Sequence, residues 1–293
     1  MTTSNTTAIR TPVVAGRHPR AARRWSAPPA VVVSVILLAV VLLAVVAPSL
    51  LTSTEPLKAD PVNALTAPSL THPFGTDASG RDIYARVVYG ARLSLSIAVA
   101  ANALGLLTAV LLGLVGGIGG RILDTVMGRA LEVMLAFPGL LLLIVIIGMM
   151  GTSTGTLIVA LAVGGVPGYA RLVRGQIISV RNQPYVEAAT VLGHPFRRVV
   201  VRTILPNALR PFVAVATVGV AQMIMGATAL GFLGLGAQPP SPEWGAMLAA
   251  GRDFLSLAWW VEFFPGAAIV GVTLAVTAIG RHLQRYFEGR TTS

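Results

Sequence analysis

Six stretches of this chain are apolar for long enough to cross a bilayer: 29–51, 93–118, 131–150, 156–173, 211–235 and 263–283. A hydrocarbon core ~30 Å thick takes about 20 residues of helix to span. Lipid offers backbone amides no hydrogen-bond partner, so a spanning segment must satisfy its own, and runs of this length do so as helices. The expected fold is therefore all-α, a polytopic membrane protein with six transmembrane helices. Composition points the same way, with 54% hydrophobic and 11% charged residues against about 25% charged in soluble domains. Small residues recur inside the stretches (Gly113, Gly116, Gly117; Gly164, Gly165, Gly168), as expected where helices approach closely. Pro138 and Pro167 are expected to kink theirs.

The first stretch is preceded by arginines, as a signal peptide is. Its run over 31–51 is broken only by Ser34, Pro48 and Ser49. It is longer than a signal h-region, and Ala47-Pro48-Ser49 is a poor cleavage site. It reads as a retained transmembrane helix.

The connections between the stretches vote on orientation. The tail before the first span carries Arg10, Arg17, Arg20, Arg23 and Arg24 and no acid, and the segment after that span is nearly balanced in charge. The next connection sets Arg121 and Arg129 against Asp124, and 151–155 is uncharged. Then Arg171, Arg174, Arg181, Arg197, Arg198, Arg202 and Arg210 face Glu187 alone. The fifth reverses this, with Glu243, Asp253 and Glu262 against Arg252, and the last tail holds Arg281, Arg285 and Arg290 against Glu288. Arginine-rich connections alternate with poor ones, which places both termini in the cytoplasm by the positive-inside rule. The chain divides into a cytoplasmic tail 1–28, a first span 29–51 and an extracytoplasmic loop 52–90. A five-helix core 91–285 follows, containing a cytoplasmic loop 174–210, and then a tail 286–293. The outer segments hold Pro73, Phe74, Trp244, Trp259 and Trp260 and read as folded caps with interfacial anchors.

Absences narrow the chemistry. The net charge is +11, but the arginines gather in loops, where they orient spans. With no soluble basic face, nucleic acid is not an expected partner. There is no cysteine, which removes disulfides and thiolate metal sites. The only lysine, Lys58, precedes Ala59, so no Gly-Lys-Ser/Thr phosphate loop exists. His18, His72, His194 and His282 are too scattered for a metal cage. Met134, Met149, Met150, Met223 and Met225 read as packing. Within the spans ionisable groups are almost absent, Glu132 and Arg171 falling near the ends, so nothing suggests an ion-coupled carrier. No catalytic residue, metal or cofactor is expected. If the chain moves a solute, another protein supplies the energy; a structural subunit without transport remains the alternative.

Within the arginine-rich loop, a helix over 186–192 is expected to stop at Gly193, with Pro195 preventing continuation. A second helical stretch over 197–205 is expected to end before Pro206. Ala188 and Ala189 are small enough for the first helix to sit deep in a partner's groove. The competing reading is an amphipathic surface helix whose arginines face lipid phosphates, with membrane lipid as the partner.

The spacing of Glu187-Ala188-Ala189, Gly193 and Leu205-Pro206 resembles the Glu-Ala-Ala signature of bacterial ABC-importer permeases. Three further segments are similar to the C-type permease of dipeptide and oligopeptide systems. One is His72-Pro73-Phe74-Gly75-Thr76-Asp77 with Gly80-Arg81-Asp82. Another is Tyr89-Gly90-Ala91-Arg92-Leu93-Ser94. The third is Gly231-Phe232-Leu233-Gly234-Leu235-Gly236 leading into Gln238-Pro239-Pro240 and Trp244-Gly245. The resemblance covers about 25–287. It implies the type I ABC importer permease fold and a role in ATP-driven import of peptides. It also implies a second permease subunit, ATPase subunits (separate or a fused double ATPase) and an extracytoplasmic substrate-binding protein as partners. Glu187, Ala188, Ala189, Gly193, Leu205 and Pro206 would form the coupling segment that docks on the ATPase. The sequence departs from the pattern at Thr203, often His, at His194-Pro195, more usually Ala-Ser, and at Arg281, often Asp. Nickel chelates, glutathione, opines and haem travel through closely similar subunits, and the sequence does not choose among these and peptides. A channel independent of ATP and a passive scaffold are the rivals from other classes.

Overall fold

The computed structural model describes residues 28–291, all helix and connection, with a single isolated β-bridge between Thr76 and Asp82. The N-terminal tail with its five arginines, and the end of the C-terminal tail, lie outside the described residues. Eleven α-helices follow one another: α1 (Pro29–Val46), α2 (Ile83–Ile118), α3 (Gly120–Ala136), α4 (Gly139–Met150), α5 (Thr154–Arg181), α6 (Pro184–Val191), α7 (Phe196–Val199), α8 (Leu205–Leu209), α9 (Phe212–Phe232), α10 (Trp244–Gly251) and α11 (Trp260–Thr291). Helices α1, α2, α5, α9 and α11 are long and apolar enough to cross a membrane. The pair α3–α4 makes a sixth span if counted as one, bent by 91° at the Phe137–Pro138 break. That break answers the kink expected at Pro138. The helix α5 runs on through Pro167.

Several helices outrun the apolar stretches that announce them. The second span begins at Ile83 rather than 93, because Asp82 caps it: its carboxylate accepts from Ala85 N at 2.8 Å and satisfies an otherwise orphaned donor. The fourth continues from 173 to Arg181, where arginines replace apolar residues without breaking helical geometry. Arg171 is therefore ten residues inside α5, and Arg174 seven, rather than near its end. Arg174 pairs with Asp124 of α3 through both carboxylate oxygens.

The long α2 is the spine. Helix α5 packs along it most extensively, while α9, α1 and α3 pack on its other sides and α11 bridges α1 to α9. The contacts run through small residues: a β-carbon added at Gly113 or Gly117 would collide with Val173 or Ile177 of α5. Two buried clusters result. The larger runs through the bundle from Ile83 and Trp244 to Ile147 and Val276. The smaller gathers Val173, Ile177, Val186, Val199, Ile204, Ala208 and Phe212 at the arginine-rich end.

The segments 52–82 and 237–262 are folded, as their proline and aromatic content suggests. Phe74 stacks on Phe264 with ring centroids 4.0 Å apart and meets Tyr84 edge-on at 5.0 Å. The Trp260 indole donates to Thr76 O at 3.3 Å. These contacts tie 52–82 to the start of α11.

Candidate functional site

At the arginine-rich end, α6 stops where expected. Gly193 adopts φ +78°, a conformation that costs an L side chain about 1–2 kcal/mol. Two backbone bonds close the motif, Gly193 N to Thr190 O at 3.0 Å and His194 N to Ala189 O at 3.3 Å. This 5→2 and 6→1 pairing caps the last carbonyls of the helix. The chain then re-enters helix at α7 after Pro195.

The second stretch does not end before Pro206. It passes through a π-helical turn, Val200–Ile204, and α8 carries Pro206 in its first turn. The wider turn bonds Leu205 N to Val200 O, five residues back. Inside an α-helix Pro206 would clash with the carbonyl four residues earlier; just after a π turn, in the first turn of α8, the ring is tolerated and its missing N–H costs nothing.

Of the six residues singled out by sequence, Glu187, Ala188, Gly193 and Pro206 are exposed, while Ala189 and Leu205 are half-buried. Ala189 packs against the smaller core, not outward. The outward face is instead apolar and bulky: Tyr185, Val191, Leu192 and Phe196 are all exposed, Val191 at 81% and Leu192 at 76%. On the opposite side, Val186 and Val199 seal α6 and α7 onto Val173 and Ile177 of α5, with Leu114 and Ile118 of α2 beside them. One face of the segment grips the span ends and the other presents exposed hydrophobic residues.

At the far end a second arrangement, absent from the sequence reading, locks α10 to α2. Glu243 is 1% exposed and caps α10, accepting from Gly245 N at 2.9 Å and Ala246 N at 2.8 Å. Ser94 of α2 donates to the same carboxylate at 3.2 Å and accepts from Trp244 N at 3.0 Å. The Trp244 indole donates to Val87 O at 2.9 Å. Burial pushes the Glu243 carboxyl above its ordinary value of 4.5, and the two amides and the hydroxyl oppose that shift. Nearby, the buried Arg86 guanidinium donates to Pro56 O, Pro240 O and Ser241 O, so the first turn of α2 clasps both the 52–82 segment and the connection before α10. The close fit depends on Gly90, where a β-carbon would run into the Pro242 carbonyl. The local signals were that Ser94 closes the motif at 89–94 and Trp244-Gly245 lies in another; the contacts that join them span about 150 positions of sequence.

A third polar knot sits at mid-bundle. Asn102 of α2 donates to Ala216 O of α9 at 2.9 Å and accepts from the Tyr169 hydroxyl of α5 at 2.8 Å. Asn102 and Tyr169 are 4% and 5% exposed. An asparagine inside the apolar run 93–118 was a visible signal for this knot, since a buried amide demands partners.

Comparison with known proteins places this architecture. Residues 81–293 match the family model described as binding-protein-dependent transport system inner membrane component. The dipeptide transport system permease protein of Alkalihalophilus pseudofirmus is 44% identical over 207 residues, covering 71% of this chain and 68% of that protein. The di/tripeptide transport system permease protein of Pseudomonas aeruginosa is 38% identical over 198 residues, 68% of this chain and 65% of its own length. The matches thus span about two thirds of those relatives. Among solved structures, an inward-facing conformation of the MetNI methionine ABC transporter superposes with a TM-score of 0.57 at 19% identity, covering 69% of this chain and 95% of the other. An amino acid ABC transporter gives 0.52 at 20% identity, over 70% and 94%. At such identities the likeness is one of fold.

Proposed function

The chain belongs to the family of binding-protein-dependent transport system inner membrane components, and on that premise we propose that it is one of the two membrane-spanning subunits of an ATP-driven importer for di- and oligopeptides. It is a multi-pass membrane protein and a transport subunit rather than an enzyme. The observation that carries the proposal is the two-faced segment α6–α8. Its inner face is fused by apolar contact to the ends of α2 and α5, and its outer face offers Tyr185, Val191, Leu192 and Phe196 around Glu187. Such a segment suits a device that receives force from a partner and passes it to the spans.

In this reading the arginine-rich end is cytoplasmic, with both termini on that side, and α6 docks on an ATPase. ATP binding draws the two ATPase sites together. The two coupling segments follow, and the inner ends of α2 and α5 move with them while the outer lock at Glu243 and Arg86 is worked from the far end. An extracytoplasmic binding protein delivers the peptide to the caps formed by 52–82 and α10. A second permease subunit supplies the other half of the path. Two discrete packings of the bundle, rather than a charged site, make the switch.

The test is uptake of a labelled, non-hydrolysable dipeptide by cells lacking the gene, complemented with wild type or Glu187→Arg. Restoration by wild type but not by an equally abundant variant is the expected result. Restoration by neither would sink the peptide assignment, and equal restoration by both would remove Glu187 from the coupling segment.

A further inference from the structure

Gln222 stands at the midpoint of α9, ten residues from Phe212 and ten from Phe232. It is exposed and makes no hydrogen bond among the described residues. At that depth lipid gives an amide no partner, so an open glutamine there belongs to an interior or a water-filled surface. Helix α4 presents nothing of the kind: its exposed large side chains are Leu140, Leu141, Val145, Met149 and Met150, all apolar.

Gln222 opens into a groove of ≈ 420 Å³ between α5 and α9, closed at one side by Leu135 of α3 and at its arginine-rich end by Gln284 of α11. The two helices both pack on α2 and barely touch each other. The knot at Asn102 holds them apart by gripping Tyr169 on one and Ala216 on the other. Below Gly168, on the same helical face at i+3, α5 carries Arg171, exposed and without an ion-pair or hydrogen-bond partner among the described residues. Taking the Tyr169–Ala216 level as common, Arg171 lies two residues toward the arginine-rich end and Gln222 six residues away from it. Their separation along the bundle is about 12 Å at 1.5 Å per residue. A short extended chain of two or three residues covers about 7–10 Å, and the arginine side chain makes up the rest.

We propose that this groove is the chain's wall of the translocation path, that Gln222 is the mid-membrane contact for the backbone amides of a passing peptide, and that Arg171 meets its carboxylate end. The peptide part rests on the function proposed above; the wall part rests on the groove alone. A glutamine amide both donates and accepts, which matches a peptide group whatever side chains flank it. The facing wall is the glycine backbone at Gly164 and Gly168 with the apolar side chains of Leu172, Val215 and Val218 beside it, so it offers side chains no charged partner. Weak, sequence-tolerant contact of this kind lets a mixed set of short peptides through and releases them.

The chain contains no cysteine, so Gln222→Cys places a single thiol in this subunit of the intact transporter. Its reaction with a membrane-impermeant charged thiol reagent in inside-out vesicles is compared with that of Val145→Cys on α4. The expected result is labelling at 222 about tenfold or more faster than at 145, slowed by saturating dipeptide during turnover. Adding Arg171→Gln should slow the anionic reagent more than the cationic one. Labelling no faster than at 145 would overturn the proposal in favour of a lipid-facing groove. Labelling that appears only after the second permease is dissociated would overturn it in favour of a subunit interface. Fast labelling that peptides leave unchanged, but haem or a nickel chelate slows, would uphold the wall and overturn the peptide as its occupant. As a check independent of the thiol, Gln222→Leu assembled to wild-type level should lower peptide uptake several-fold with ATP hydrolysis retained.

Discussion

Gly219→Ala tests whether the knot at mid-bundle holds the spans in place. A β-carbon built at Gly219 falls within 3.0 Å of both the Tyr169 hydroxyl and Asn102 Oδ1, closer than real side-chain contacts come. The alanine must therefore displace a hydrogen-bonded pair that is almost wholly buried. Overpacking costs about 1–3 kcal/mol, and a buried polar group left without its partner costs about 1–3 more. Helix propensity returns about 0.5–1, for a net loss of roughly 1–5 kcal/mol. Gly168→Ala is the matched control: its β-carbon meets nothing within 4 Å, so only the propensity gain remains. Reversible unfolding of the purified chain in mixed micelles, followed by helix content, reads both. Tyr169→Phe in the Gly219→Ala background removes one of the two crowded oxygens and should recover part of the loss, a coupling that a double-mutant cycle isolates. A Gly219→Ala variant as stable as wild type, or a Gly168→Ala variant equally damaged, would refute the reasoning.

Three other predictions follow from the same geometry. Gly193→Ala meets no neighbour but forces alanine to φ +78°, so it should weaken the end of α6 by about 1–2 kcal/mol and lower peptide uptake, while ATPase activity of the isolated ATPase is unchanged. The folded carboxyl of Glu243 is raised above its ordinary 4.5, so the folded state holds this proton more tightly than the unfolded one. Its linked stability is fully present below 4.5, is lost as pH rises through the raised value, and should be absent from the pH profile of Glu243→Gln in thermal melts. Arg174→Leu leaves Asp124 without its partner; both side chains are more than a quarter exposed, so the loss should stay near about 1 kcal/mol, read as faster proteolysis at the α3–α4 break.

The membrane spans were legible because a long apolar run has few alternatives to helix. Their ends were not. The first ten residues of α2 and the last eight of α5 are helical with polar and charged residues, and nothing in local hydropathy distinguishes them from loops. Gly193 was legible as a stop because glycine there relieves a real conformational cost. Pro206 misled because the rule against proline inside a helix assumes α geometry, and the chain uses a π turn just before it. The outer lock was invisible for another reason: Glu243 and Ser94 meet only when the bundle closes, and no periodicity links residues so far apart. The polar contacts at mid-bundle fell between these cases. Asn102 and Gln222 are conspicuous inside apolar runs, yet only the structure separates the amide that is satisfied from the one that is open.

The spine helix α2 has 36 residues and no proline, which makes it a rod about 54 Å long. One end is pinned by Arg86 and Ser94 to the segment before α10, and the other, at Leu114 and Ile118, lies in the smaller core. A stiff beam fastened at both surfaces needs no relay of side chains between them. Tilting it by about 5° about its centre swings each tip by about 2 Å in opposite directions. That is the size of step that parts or closes packed surfaces. Delay between events on the two faces of the membrane would then be set by friction against neighbouring helices and lipid, not by any sequence of local rearrangements along the way.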